Sequence, residues 1–145
     1  MSVCEALARL DKLEGATVRI RGVLDTGMEH SYLDGADCGR RPDPAKHPGI
    51  SISLAAAAEA KPEADPFRAL YAAAAESRKK RPAASSHRLL VTFVGVLRTK
   101  LPPGRDDSGW FGKYGGGYAA WLRAESAADI RLLLAPRAAG ASGRE

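Results

Sequence analysis

The spacing of apolar residues along this chain changes several times, and each change marks an element. Ser2, followed three residues later by Glu5, has the spacing of a capping box, in which a hydroxyl and a carboxylate satisfy the free amides of a helix start. Ala6, Leu7, Leu10 and Leu13 then recur at helical spacing, and Gly15 is placed to end the short helix with a left-handed residue. From Thr17 the period becomes two. Val18, Ile20, Gly22 and Leu24 point one way while Thr17, Arg19, Arg21 and Val23 point the other, which predicts a long half-buried strand. Gly22 in its middle predicts a bulge or sharp bend, the device by which one strand serves both sheets of a small barrel.

A turn at Thr26 and Gly27 leads to a short second strand centred on Tyr32 and Leu33 and ending near Gly35. The stretch from Gly39 to Gly49 holds Pro42, Pro44 and Pro48 and reads as a loop, after which the alternation of Ile50, Ser51, Ile52, Ser53 and Leu54 predicts a third strand. Asp65 followed by Pro66 is a helix start, because the carboxylate accepts orphan amides and proline suits the first helical position. Phe67, Leu70, Tyr71, Ala74 and Ala75 supply its apolar stripe, and Pro82 stops it after the basic run Arg78, Lys79, Lys80 and Arg81. Leu89 to Leu97 is the most apolar run, and its β-branching favours a buried fourth strand. After a proline- and glycine-rich connection, Pro102 to Gly117, the stretch from Tyr118 to Leu134 predicts a fifth strand, bent or interrupted near Ala127 and Ala128.

Helix, three strands, helix, two strands is the order of an OB-fold. The expected class is therefore mainly β: a five-stranded OB-fold-like Greek-key barrel with an N-terminal short helix and a second helix between strands three and four closing its bottom. Residues 1–135 are read as one such domain and residues 136–145 as a disordered tail.

The run from Glu14 to Gly22, preceded by Cys4 on a leucine-bearing helix and followed by Glu29, Leu33 and Cys38, resembles the opening of small bacterial OB-fold-like proteins of unknown function. Gly115, Gly116, Gly117, Tyr118, Leu122, Asp129 and Ile130 are similar to the ending of those proteins. The likeness covers both ends of the chain and skips Pro42 to Arg88. It departs in two respects: those proteins frequently carry an export signal, and they often show a histidine in the glycine-rich turn, where this chain has Lys113 or Tyr114. The resemblance implies the fold, and it implies no activity, substrate or cofactor.

Composition narrows the picture. Of the 145 residues 45% are hydrophobic, but 27 are alanine, so the larger apolar side chains suffice for one core and no second. No apolar run reaches the roughly 18 residues of a membrane span. The first ten residues lack the basic start and apolar stretch of a secretory signal, which makes the cytoplasm the expected compartment, with the periplasm as the alternative if a signal has been removed. A net charge of +5 favours anionic partners. Cys4 and Cys38 leave two arrangements open: a pair of small buried thiols, favoured in a reducing compartment, or one bridge pinning the first helix to the end of strand two.

The strongest candidate for chemistry is the connection between strands four and five, where Lys100, Arg105, Trp110, Phe111, Lys113 and Tyr114 combine rings that stack on bases with cations that meet phosphates. Arg19, Arg21, Tyr32, Arg98, Trp121 and Arg123 extend that basic, aromatic set if they share the outer side of the sheet. The expected function is a noncatalytic binding or interaction module. Single-stranded nucleic acid is the specific alternative, another protein the other conceivable partner, and no cofactor is expected. An enzyme fits less well: no nucleophile context surrounds either thiol, and His30, His47 and His87 are scattered. His30, Cys38 and His47 have no metal-ligand spacing, the acidic pairs Asp106 with Asp107 and Glu29 with Asp34 fall in turns, and no Gly-Lys-Ser/Thr follows Gly115 to Gly117.

Overall fold

The computed structural model describes residues 1–27, 30–39, 45–55, 65–99 and 117–134. Five strands, β1 (Thr17–Gly27), β2 (Ser31–Asp34), β3 (His47–Leu54), β4 (Ser86–Arg98) and β5 (Tyr118–Leu132), close into a barrel in the order β1-β2-β3-β5-β4. β1 pairs with both β2 and β4, all neighbours are antiparallel except β3 with β5, and the helix α3 (Arg68–Lys80) lies between β3 and β4. This is the expected OB-fold-like topology. The predicted tail and nearly all of the connection between β4 and β5 lie outside the described residues.

Alternation builds the interior. Ile20, Leu33, Ile50, Leu89, Phe93, Leu97 and Leu122 are fully buried, and they sit at the inward positions that a period of two assigns to them. β1 keeps an unbroken register with β4 through Gly22, so the bulge expected there is absent. The glycine serves a close approach instead: a Cβ at Gly22 would lie 2.5 Å from Cγ2 of Val3, a side chain of the N-terminal helix. Two shifts in register fall between β4 and β5, at Glu125 and again just after Ala128, where Asp129 has φ 52°. The bend expected near Ala127 and Ala128 is thus a bulge beside them.

The N-terminal helix is two short ones, α1 (Val3–Leu7) and α2 (Leu10–Leu13), and the reciprocal bonds of Ser2 with Glu5 form the predicted capping box. The carboxylate of Glu5 is held below its usual pKa by the Ser2 backbone amide and then by its hydroxyl. Gly15 has φ 74° and follows the last turn. α1 buries Val3, Ala6 and Leu7. Its leading segment lies along β1, with the Met1 ammonium donating to the Arg19 carbonyl (2.9 Å) and the Arg21 amide donating to the Met1 carbonyl (3.0 Å). Cys4 and Cys38 form a disulfide, which ties α1 to the 3-10 turn Ala36–Cys38 after β2. Of the two arrangements open from the sequence, the structure has the bridge.

β3 begins earlier than the loop reading predicted, because the backbone carbonyl of Pro48 accepts from Gly35 (2.7 Å) and His47 donates to Gly117 (2.7 Å). Proline is tolerated there since a register shift falls between His47 and Ile50. The Asp65 carboxylate accepts from the Phe67 amide (2.8 Å) at the start of α3. Phe67 and Leu70 enter the core as expected, but Tyr71 is 53% exposed and Ala75 is exposed. The buried position in the last turn is Ser77, whose hydroxyl bonds Nδ1 of His87 on β4 (2.9 Å).

Candidate functional site

The predicted site residues fall on two separate parts of the barrel surface. On β1, Arg19 and Arg21 point outward opposite Val94 and Thr92 of β4, and Arg123 of β5 lies opposite Val96. All three arginines are exposed, and together they make a basic face over β1, β4 and β5. Arg21 is partly occupied: its guanidinium donates to the Thr92 hydroxyl (2.8 Å) and to the Asp129 carbonyl (2.9 Å). Arg98 pairs with Glu14 at 3.6 Å, and Glu14 also accepts from the Thr99 amide and hydroxyl. Trp121, opposite Arg98, is only 6% exposed, so its indole is not part of that open face. Lys100, Trp110, Phe111, Lys113 and Tyr114 lie outside the described residues.

Tyr32 belongs elsewhere. It faces out from β2 between Asp25 of β1 and Ser51 of β3, because its neighbour Leu33 is fully buried and the pleat turns alternate side chains to opposite sides. His47 at the start of β3 meets it edge-on with ring centroids 4.4 Å apart. Tyr118 at the start of β5 stands opposite His47 in the ladder, with centroids 4.5 Å from His47 and 5.8 Å from Tyr32. His30, from the connection between β1 and β2, completes the set 5.4 Å from Tyr32. Four rings from three strands and one loop thus form a contiguous cluster at separations typical of favourable aromatic pairs.

The polar frame beside the cluster comes from β1, β2 and β4. His30 Nε2 lies 2.8 Å from Asp25 Oδ1, which ties the loop back to β1, and the Gly27 amide donates to the His30 carbonyl (2.9 Å). The Thr26 and Ser31 hydroxyls bond one another at 2.9 Å on the opposite, inward side of these strands, in line with Leu24 and Leu33. Arg88 of β4, paired opposite Asp25, reaches Asp34 of β2 at 3.0 Å. Burial, then the neighbouring Tyr32 and Asp25, push the Tyr118 phenol up to about 12, since each disfavours a phenolate. Tyr118 therefore stays a neutral hydroxyl at any physiological pH. Half-buried rings that touch one another suit stacking against a flat ligand.

Sequence reasoning selected Tyr32 and passed over His30, His47 and Tyr118 as binding residues. The parity of Tyr32 against Leu33 was readable, but nothing in spacing brings residues 30, 47 and 118 together. Among the described residues no group of three or more His, Cys, Asp and Glu side chains is arranged to hold a metal ion, and the Cys38 sulfur is engaged by Cys4. Comparison with protein-family models, curated proteins and solved structures found no match.

Proposed function

We propose that this protein is a noncatalytic OB-fold-like binding module that engages its ligand at the ring cluster of His30, Tyr32, His47 and Tyr118. The carrying observation is the position of that cluster: it occupies the β2–β3 surface and the ends of the loops that follow β1 and β4, the region where barrels of this topology bind oligonucleotides and oligosaccharides. The narrower reading is single-stranded nucleic acid, favoured by a cluster of half-buried rings on a chain of net charge +5. In that reading the exposed Arg19, Arg21 and Arg123 contribute phosphate contacts at a distance from the stacking site. Another protein as partner is the competing occupant of the same surface. The Cys4–Cys38 bridge favours an oxidising compartment, such as the periplasm, over the cytoplasm.

Fluorescence anisotropy of labelled single-stranded oligonucleotides across a salt series tests this directly. Binding that weakens with salt and collapses in Tyr32→Ala and Tyr118→Ala supports the nucleic-acid reading. Absence of binding at low salt removes that reading, and binding indifferent to both ring variants removes the cluster as the site.

A further inference from the structure

α3 is an off-centre plug. It packs on β5 and β4, and on the β1–β2–β3 side of the barrel mouth it leaves a recess of about 460 Å³. That volume falls within the roughly 300–1,000 Å³ typical of small-molecule sites. The recess is not uniform. Its floor is core: Leu24, Ile52 and Leu70, each almost buried, with the fully buried Leu89 and Phe93 beneath them. Leu54 and Ala74 form its half-buried walls, and the ring of Tyr71, exposed despite its place in the apolar stripe, stands at the rim.

One end of this apolar recess is charged. Leu70, Ala74 and Arg78 recur at four-residue spacing, so they lie on one face of α3 and bring the Arg78 guanidinium to the rim as the last member of the row. No carboxylate among the described residues pairs with Arg78, and the lining contains no acidic side chain. Thr26 and Ser31, on the same inward parity as Leu24 and Leu33, add hydroxyls to the wall on β1 and β2. An apolar trough that ends in an unneutralised guanidinium fork matches a molecule with an apolar body and a planar anionic head, since the fork binds a carboxylate with two parallel hydrogen bonds.

We infer that the recess between α3 and the β1–β2–β3 rim binds a small amphipathic carboxylate, its chain over Leu24, Ile52 and Leu70 and its head on Arg78. The site is independent of the ring cluster, and neither reading requires the other.

Octanoate, with 1-octanol as its uncharged analogue, tests the inference by isothermal titration into the full chain. One octanoate binds per chain, more tightly than octanol. Arg78→Gln weakens octanoate roughly tenfold, the loss of one charged hydrogen-bonding partner, and leaves octanol unchanged. Ala74→Phe fills the recess and abolishes both while the circular dichroism spectrum is retained. Tyr32→Ala alters neither, which separates this site from the ring cluster. Nuclear Overhauser contacts from the octanoate chain to the Leu54 and Leu70 methyls report the same occupancy in the unmutated protein, so the test survives if Ala74→Phe fails to fold. Failure of octanoate to bind the folded chain, equal loss of octanol in Arg78→Gln, or the absence of those methyl contacts overturns the inference.

Discussion

The arginine-bearing face over β1, β4 and β5 and the ring cluster over β2 and β3 arise from the same device, the outward residues of alternating strands, yet they hold their side chains differently. On the arginine face, cations stand apart on either side of Val94 and Val96, and Arg21 and Arg98 already have intramolecular partners. In the ring cluster, each side chain rests on at least one other, and the loop that brings His30 is anchored through Asp25. Rings have few torsions and these are braced, so little freedom is lost when a ligand stacks on them. Long exposed arginines lose more freedom on binding and act through a field that salt screens. The comparison teaches that a basic charge total does not locate a binding site; preorganised side chains do.

The largest expected effect concerns how the two regions are supported. The Cys4–Cys38 bridge spans 34 residues and holds α1, whose leading segment bonds the backbone of Arg19 and Arg21. Replacing both cysteines by serine costs about 3 to 4 kcal/mol in the chain-entropy model, measured by urea unfolding. Amide exchange accelerates more at Arg21 than in the β2–β3 ladder around Tyr32, because Arg21 loses a local brace as well as global stability. Equal acceleration in both regions refutes the separation.

The next effect separates the faces by ligand binding. Tyr32→Ala weakens oligonucleotide binding by about 1–3 kcal/mol, the worth of one stacked base, with the salt slope preserved. The Arg19→Ala/Arg21→Ala double variant does the opposite: a smaller loss at moderate salt, uniform across sequences, with the slope of log K against log salt reduced by up to about two. If the arginine variant abolishes binding and the ring variant does not, the primary surface is the basic face.

The smallest effect belongs to Tyr118 alone. With its phenol raised to about 12 in the folded protein, against the ordinary tyrosine value of 10.0 in the unfolded chain, the native state holds the proton more tightly. Stability is therefore unaffected below pH 10 and declines as pH rises through about 12. Tyr118→Phe flattens this alkaline slope in denaturant titrations, and ultraviolet absorbance at alkaline pH loses a tyrosine that titrates at about 12. A slope unchanged in Tyr118→Phe excludes that assignment.

Much of the barrel was legible because its signals are local. The alternation of Val18, Ile20 and Leu24, the Ser2–Glu5 cap and the Asp65–Pro66 helix start all act over a few residues, where backbone geometry dictates which side chains meet. What was not legible depended on distant neighbours. Gly22 read as a bulge, whereas its missing side chain makes room for Val3 from another element. Tyr71 read as core, but the edge of a helical stripe is buried only if a wall stands opposite it, and here the off-centre α3 leaves a recess.

The sequence by itself determined the order and type of the elements, the alternating faces of β1 and β3 and the candidacy of Tyr32. These follow from periods of two and 3.6 and from capping chemistry, which need no information beyond the segment. Tertiary structure alone decided that residues 30, 32, 47 and 118 share one surface, that Arg19 and Arg21 lie apart from them, and that Cys4 meets Cys38. Barrel closure sets these distances, and closure is a property of all five strands at once.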